Sequence, residues 1–130
     1  MTDRQQFEFF LLRYVPDPVR GEFVNVGVIV NRIDSTEANA IMRITRNWQR
    51  VFCLDPDADN EMFEALEDDI NSRFAEGNES IREILDVFVQ QLSNTLQISE
   101  RSVTLGMDLA TETARLMTMY VEPRASEPIS

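Results

Sequence analysis

The run Phe7-Glu8-Phe9-Phe10-Leu11-Leu12-Arg13-Tyr14-Val15-Pro16-Asp17-Pro18-Val19-Arg20-Gly21-Glu22-Phe23-Val24-Asn25-Val26-Gly27-Val28-Ile29-Val30 decides the fold. It sets two β-branched and aromatic segments around a cluster of turn formers. Phe7 to Val15 and Glu22 to Arg32 favour a pleated chain, while Pro16, Pro18 and Gly21 break it, so a β-hairpin with a loop at Pro16 to Gly21 is predicted. If Val15 lies opposite Glu22, Phe7 stands by Val30, Phe9 by Val28, Leu11 by Val26 and Arg13 by Val24 on one face. The other face then pairs Tyr14 with Phe23, Leu12 with Asn25, Phe10 with Gly27 and Glu8 with Ile29. Neither face is polar enough to meet water, so both strands are expected inside a sheet. A slip of one residue would turn the valine row to the other side.

Outward from the hairpin, Ala40 to Thr45 reads as a third strand after the polar turn Asp34 to Asn39. Asn47 to Leu54 fits either a short helix, on Trp48, Val51 and Phe52, or a strand, and the helix is the preferred reading. Asp57 or Asp59 caps a longer helix through Glu76, striped by Phe63, Leu66, Ile70 and Phe74 and ended by Gly77 and Asn78. Ser80 and Glu83 form a capping box before Ile81, Ile84, Leu85, Phe88, Leu92 and Leu96. Ser102 to Leu105 reads as a short edge strand. A last helix starts near Asp108 with Leu109, Leu116, Met117 and Tyr120, before a tail over 123–130. The expected architecture is α+β: a small antiparallel sheet built on the N-terminal hairpin and packed by three or four helices, in one domain over 1–122.

The chain has 130 residues, 43% of them hydrophobic, enough for one domain to bury roughly two thirds of its unfolded surface without a disulfide. No leader and no apolar run long enough to span a bilayer is visible, which points to a cytoplasmic protein. The net charge of -11 opposes nonspecific nucleic-acid binding and favours basic or neutral partners. All 12 basic residues are arginine, so lysine chemistry is absent; the chain has no histidine, which removes Cys-His and Ser-His mechanisms. The lone Cys53 is therefore expected to be a core thiol.

Other clusters have plain readings. Asp55, Asp57 and Asp59 resemble the opening of a calcium loop, but Asn60 stands where glycine belongs and Leu66 where the bidentate glutamate belongs, so no metal is expected. Glu61, Glu64, Glu67, Asp68 and Asp69 read as a solvated acidic helix face that could also meet a basic partner. The scattered methionines, among them Met62, Met107, Met117 and Met119, read as gap fillers, and Trp48 between Arg46 and Arg50 as a partly buried ring. No cofactor is indicated.

The hairpin loop is the candidate site, with Arg13, Tyr14, Asp17, Arg20, Glu22 and Asn25 as its binding residues. Salt bridges among Arg13, Glu22, Asp17 and Arg20 would explain these charges structurally; a surface for a ligand or partner would explain them functionally.

The block Arg13 to Gly27, followed by Arg46-Asn47-Trp48, Arg50-Val51 and Cys53-Leu54-Asp55-Pro56-Asp57-Ala58-Asp59, resembles a bacterial family of unknown function. The likeness extends to about Leu66 and more loosely beyond. It implies a small α+β domain encoded beside a kinase-like protein resembling the HipA toxin, and it brings no catalytic residues. Two functions follow. One is a non-enzymatic accessory or antitoxin-like protein that docks a partner protein, such as that kinase, by its hairpin tip or acidic helix. The other is a small enzyme or anion-binding module in which Arg13 and Arg20 hold an anion, Glu22 acts as base and Asn25 orients the substrate. A deep pocket containing both arginines would favour the second; a protruding tip would favour the first. The oligomeric state is left open.

Overall fold

The computed structural model describes residues 4–17, 19–33, 40–77, 80–92 and 96–122. The expected turn at 34–39, Pro18, Asn78 and the tail at 123–130 lie outside them. The hairpin forms from β1 (Gln5–Tyr14) and β2 (Val24–Arg32), and β3 (Ala40–Ile44) extends it beyond β2. On its other side β1 pairs with two short strands, β4 (Leu96–Ile98) at its C-terminal half and β5 (Ser102–Gly106) at its N-terminal half. All pairings are antiparallel, in the order β3-β2-β1-β4 with β5 also on β1. The two hairpin strands are thus interior, which is why neither carries a polar face.

The hairpin register differs from the expectation. Phe9 lies opposite Val30, Leu11 opposite Val28, Phe10 opposite Ile29 and Leu12 opposite Gly27, a shift of two that preserves the faces. A bulge then intervenes: Arg13 pairs with Asn25 and Tyr14 with Val24. The extra residue splits the valine row. Val28 and Val30 join Phe7 and Phe9 in the smaller core, whereas Val24 and Val26 join Leu12 and Tyr14 in the larger one. Both halves stay buried because both faces are covered. The ladder ends at Tyr14 and Val24, so Val15 is not paired with Glu22 and the loop is longer than expected.

One face of the sheet carries α1 (Gln49–Leu54), α2 (Asn60–Glu76) and α3 (Ile81–Leu92). Asp59 caps α2 by accepting the Met62 amide, Gly77 ends it at φ 71°, and the Ser80 hydroxyl accepts the Glu83 amide to start α3. Phe63, Ile70, Phe74, Ile84 and Phe88 press this layer onto Leu12, Ile29, Met42 and Ile44. Leu96, expected at the end of α3, instead opens β4. Its spacing of four from Leu92 continues the helical stripe, and only pairing with Tyr14 reveals the break. The opposite face carries α4 (Leu109–Leu116), capped by Asp108, which runs into a π-helical turn (Met117–Val121). Leu116, Met117 and Val121 close the smaller core.

Gly27 is required by closeness. A Cβ there would lie 2.6 Å from the carbonyl oxygen of Arg43 on β3, which is backbone and cannot swing aside. Phe10, expected to cover this glycine, sits across from Ile29.

Candidate functional site

The loop joining β1 to β2 is ordered by its own polar groups. The Asp17 carboxylate accepts the Val19 amide at 3.0 Å, the Asp17 carbonyl accepts the Arg20 amide at 3.2 Å, and Gly21 supplies the positive φ of 73° that reverses the chain. The Arg20 guanidinium pairs with the Glu22 carboxylate at 3.3 Å. Val19 is 95% exposed and Phe23 50% exposed, and the Arg13 guanidinium sits 4.9 Å above the Phe23 ring centroid. Arg13 forms no ion pair with any described residue.

Tyr14 and Asn25 leave this surface. Tyr14 points to the larger core, edge-on to Phe63, and donates to Asp55 at 2.5 Å. Burial first, and then the Asp55 carboxylate, push its phenol up to about 12. Asn25 donates at 3.2 Å to the Tyr120 carbonyl in the π-helical turn. That carbonyl fixes the amide orientation, since the reverse would set two acceptors face to face. Opposite it, Arg13 Nε is buried without a partner, as is Asn25 Oδ1. The six expected residues therefore divide: Arg13, Asp17, Arg20 and Glu22 belong to the tip, Tyr14 and Asn25 to the scaffold. Arg20, not Arg13, pairs with Glu22, and Asn25 shares a face with Arg13 rather than opposing it.

The second sequence block meets the first here. Asp55 holds Tyr14, Arg50 donates at 3.0 Å to the Val121 carbonyl, and Thr45 and the Arg46 amide donate to Glu122. Asn25, Thr45, Arg46 and Arg50 thus converge on the C-terminal turn. Trp48 is buried, stacked on Phe63 at 5.4 Å, and donates to Glu64 at 2.8 Å. Two of the three aspartates have structural tasks: the Asp55 carboxylate accepts from Tyr14 and the Asp57 amide, and Asp59 caps α2.

A cleft of about 540 Å³ lies beside β3, lined by Arg43, Arg46, Glu67, Met117, Thr118 and Glu122; a second, of about 380 Å³, lies between α3 and Phe10, Ile98 and Arg101. Neither includes any of the six expected residues. Glu67, read as part of a solvated acidic face, is instead buried. It accepts the Ile44 amide at 2.6 Å and the Arg46 guanidinium at 2.6 Å, an arrangement that raises the Arg46 pKa. Its place on the Phe63, Ile70, Phe74 stripe is the signal that could have found it. Cys53, expected in the core, is exposed, because Val51 is the residue that α1 buries. Met62, Met107 and Met119 are exposed rather than filling gaps, and only Met117 of the four is buried.

No described helix is long and apolar enough to cross a membrane. A family model described as protein of unknown function (DUF3037) matches residues 9–121, and the chain belongs to that family. No curated protein and no solved structure matches it.

Proposed function

We propose that this protein is a non-enzymatic accessory protein of antitoxin type, which captures a partner protein with its hairpin tip, and that the partner is a kinase-like protein resembling the HipA toxin. The observation that carries the reading is the tip itself. Val19 stands almost fully in water at the end of a loop held by its own hydrogen bonds, with half-exposed Phe23 beneath Arg13, which forms no ion pair among the described residues. An apolar anchor ringed by charges, already ordered before binding, is the usual composition of an interface centre. Arg13 and Arg20 lie outside both clefts, so a protruding docking surface fits better than a catalytic pocket. The net charge of -11 adds long-range attraction for a partner with a basic face. The identity of the partner rests on the family resemblance alone.

The test is calorimetric titration of the purified chain against the kinase-like protein. A complex is expected, and Val19→Asp and Phe23→Ala should each weaken it by about 2 kcal/mol or more. Arg20→Ala should weaken it less and move Tm by only a few degrees, because an exposed pair contributes less than about 1 kcal/mol to stability. Full affinity in all three variants would reject the tip. Absence of a complex with wild-type protein would reject the partner.

A further inference from the structure

Among the described residues the sheet ends at β3 on one side and at β4 and β5 on the other, and β3 and β5 end it differently. On β3, the outward amide and carbonyl of Met42 are both taken by the Asn71 side chain, at 2.8 and 2.9 Å. Those of Ile44 are taken by Glu67 and Arg46. Among the described residues, β5 has β1 as its sole strand partner. Val103 and Leu105, opposite Glu8 and Gln6, are 52% and 51% exposed. Neither lysine nor proline guards the strand.

The same strand is held rigidly from its other side. The Thr104 hydroxyl donates to the buried Glu112 carboxylate, and Arg115 donates to both Thr104 and Glu112. A Cβ on Gly106 would lie 2.5 Å from a Glu112 carboxylate oxygen, so any side chain there would have to push Glu112 from its place. The edge is therefore ordered before anything binds.

Charge selects the occupant. Arg101 is neutralised by Glu8, and Arg115 by Glu112. Glu100 and Asp108, each two residues outside the strand, pair with no arginine among the described residues, and the Asp108 carboxylate accepts from Thr111. Two-fold self-pairing about Thr104 would bring Glu100 of one copy towards Asp108 of the other at both ends, so a second copy meets repulsion. We propose that the β5 edge is a docking site for an extended segment of a partner protein, apolar at alternate positions opposite Val103 and Leu105 and carrying Lys or Arg at both ends. Added as a sixth strand, it gains backbone hydrogen bonds from the edge and specificity from the flanking carboxylates. This surface is separate from the hairpin tip and does not depend on its role.

The probe is a pair of end-blocked synthetic peptides sharing an alternating Val-Thr centre, one with Lys at both ends and one with Glu, titrated into the full chain and followed by amide NMR. The Lys-ended peptide should move the amides of residues 102–106, leave 19–23 unmoved, and bind about fivefold tighter than the Glu-ended one, the effect of two exposed ion pairs. Glu100→Gln combined with Asp108→Ser, where serine keeps the helix cap, should reduce that ratio to less than about twofold. Failure of both peptides to bind, equal binding of the two to wild-type protein, or shifts confined elsewhere would overturn the proposal. So would sedimentation showing a dimer that Val103→Arg dissociates, since the occupant would then be a second copy.

Discussion

The two edges of the sheet differ in what the polar backbone meets. At β3, three side chains from outside the ladder, Asn71, Glu67 and Arg46, satisfy the outward groups of Met42 and Ile44. At β5, side chains brace the strand from below, and no described strand pairs with its outer edge. A closed edge needs buried donors and acceptors aimed at backbone, which costs stability if any is lost; an open edge needs only an ordered strand. The contrast separates a margin built for stability from one available for binding.

The strongest way to test the contrast is to weaken what both edges share. Phe88→Ala, which removes a ring 2% exposed from the larger core, should cost about 3 to 5 kcal/mol in urea denaturation. Amide exchange should then rise at both edges, and a rise at one alone would break the pairing. Glu67→Ala strands the Ile44 amide and should cost about 2 to 3 kcal/mol, with faster exchange at β3 and none of that change at β5. A mild cost would mean that β3 needs no stopper.

Tyr14→Phe removes the bond to Asp55 and should cost about 1 kcal/mol near neutral pH. The folded phenol titrates at about 12 against about 10 when unfolded, so its contribution is complete below pH 10 and fades as pH rises through 12. Stability of the variant should be flatter than wild type across that window. Glu112 behaves oppositely. Burial raises its pKa, but bonds from Arg115 and Thr104 overcome this and leave it net below the ordinary carboxylate value. Its contribution is present above the unfolded pKa and lost as pH falls through the folded one, so acid should loosen β5, and Glu112→Gln should reduce that response. Smallest of all, Val103→Thr should change stability by less than about 0.5 kcal/mol, because the side chain is half exposed; a larger loss would show that the open edge is structural.

Much of the fold was legible because its signals are local. Asp59, Gly77, Ser80 and Asp108 act within a few residues of themselves, and the stripe of Phe63, Ile70 and Phe74 needs only a period of 3.6. The bulge at Val26 was not legible, since valine suits either face and one inserted residue leaves no mark when both faces are apolar. Pro16, Pro18 and Gly21 marked where the strand breaks, a local property, yet Tyr14 and Asn25 could not be told from the loop beside them, because Asp55 and the Tyr120 carbonyl that claim them are 41 and 95 residues away.

By itself, the sequence determined a strand pair central enough to need apolar residues on both sides, a set of capped helices, and an acid excess without histidine or lysine. Tertiary structure alone decided which polar groups became fixtures and which stayed available. Glu67 and Glu100 are the same residue type in the same acidic chain, and only the approach of Ile44 and Arg46 makes the first a buried stopper while the second faces water. Periodicity alone sets Glu67 on the buried stripe of α2, but which distant backbone and side-chain groups it meets there is decided by packing geometry, for which composition carries no signal.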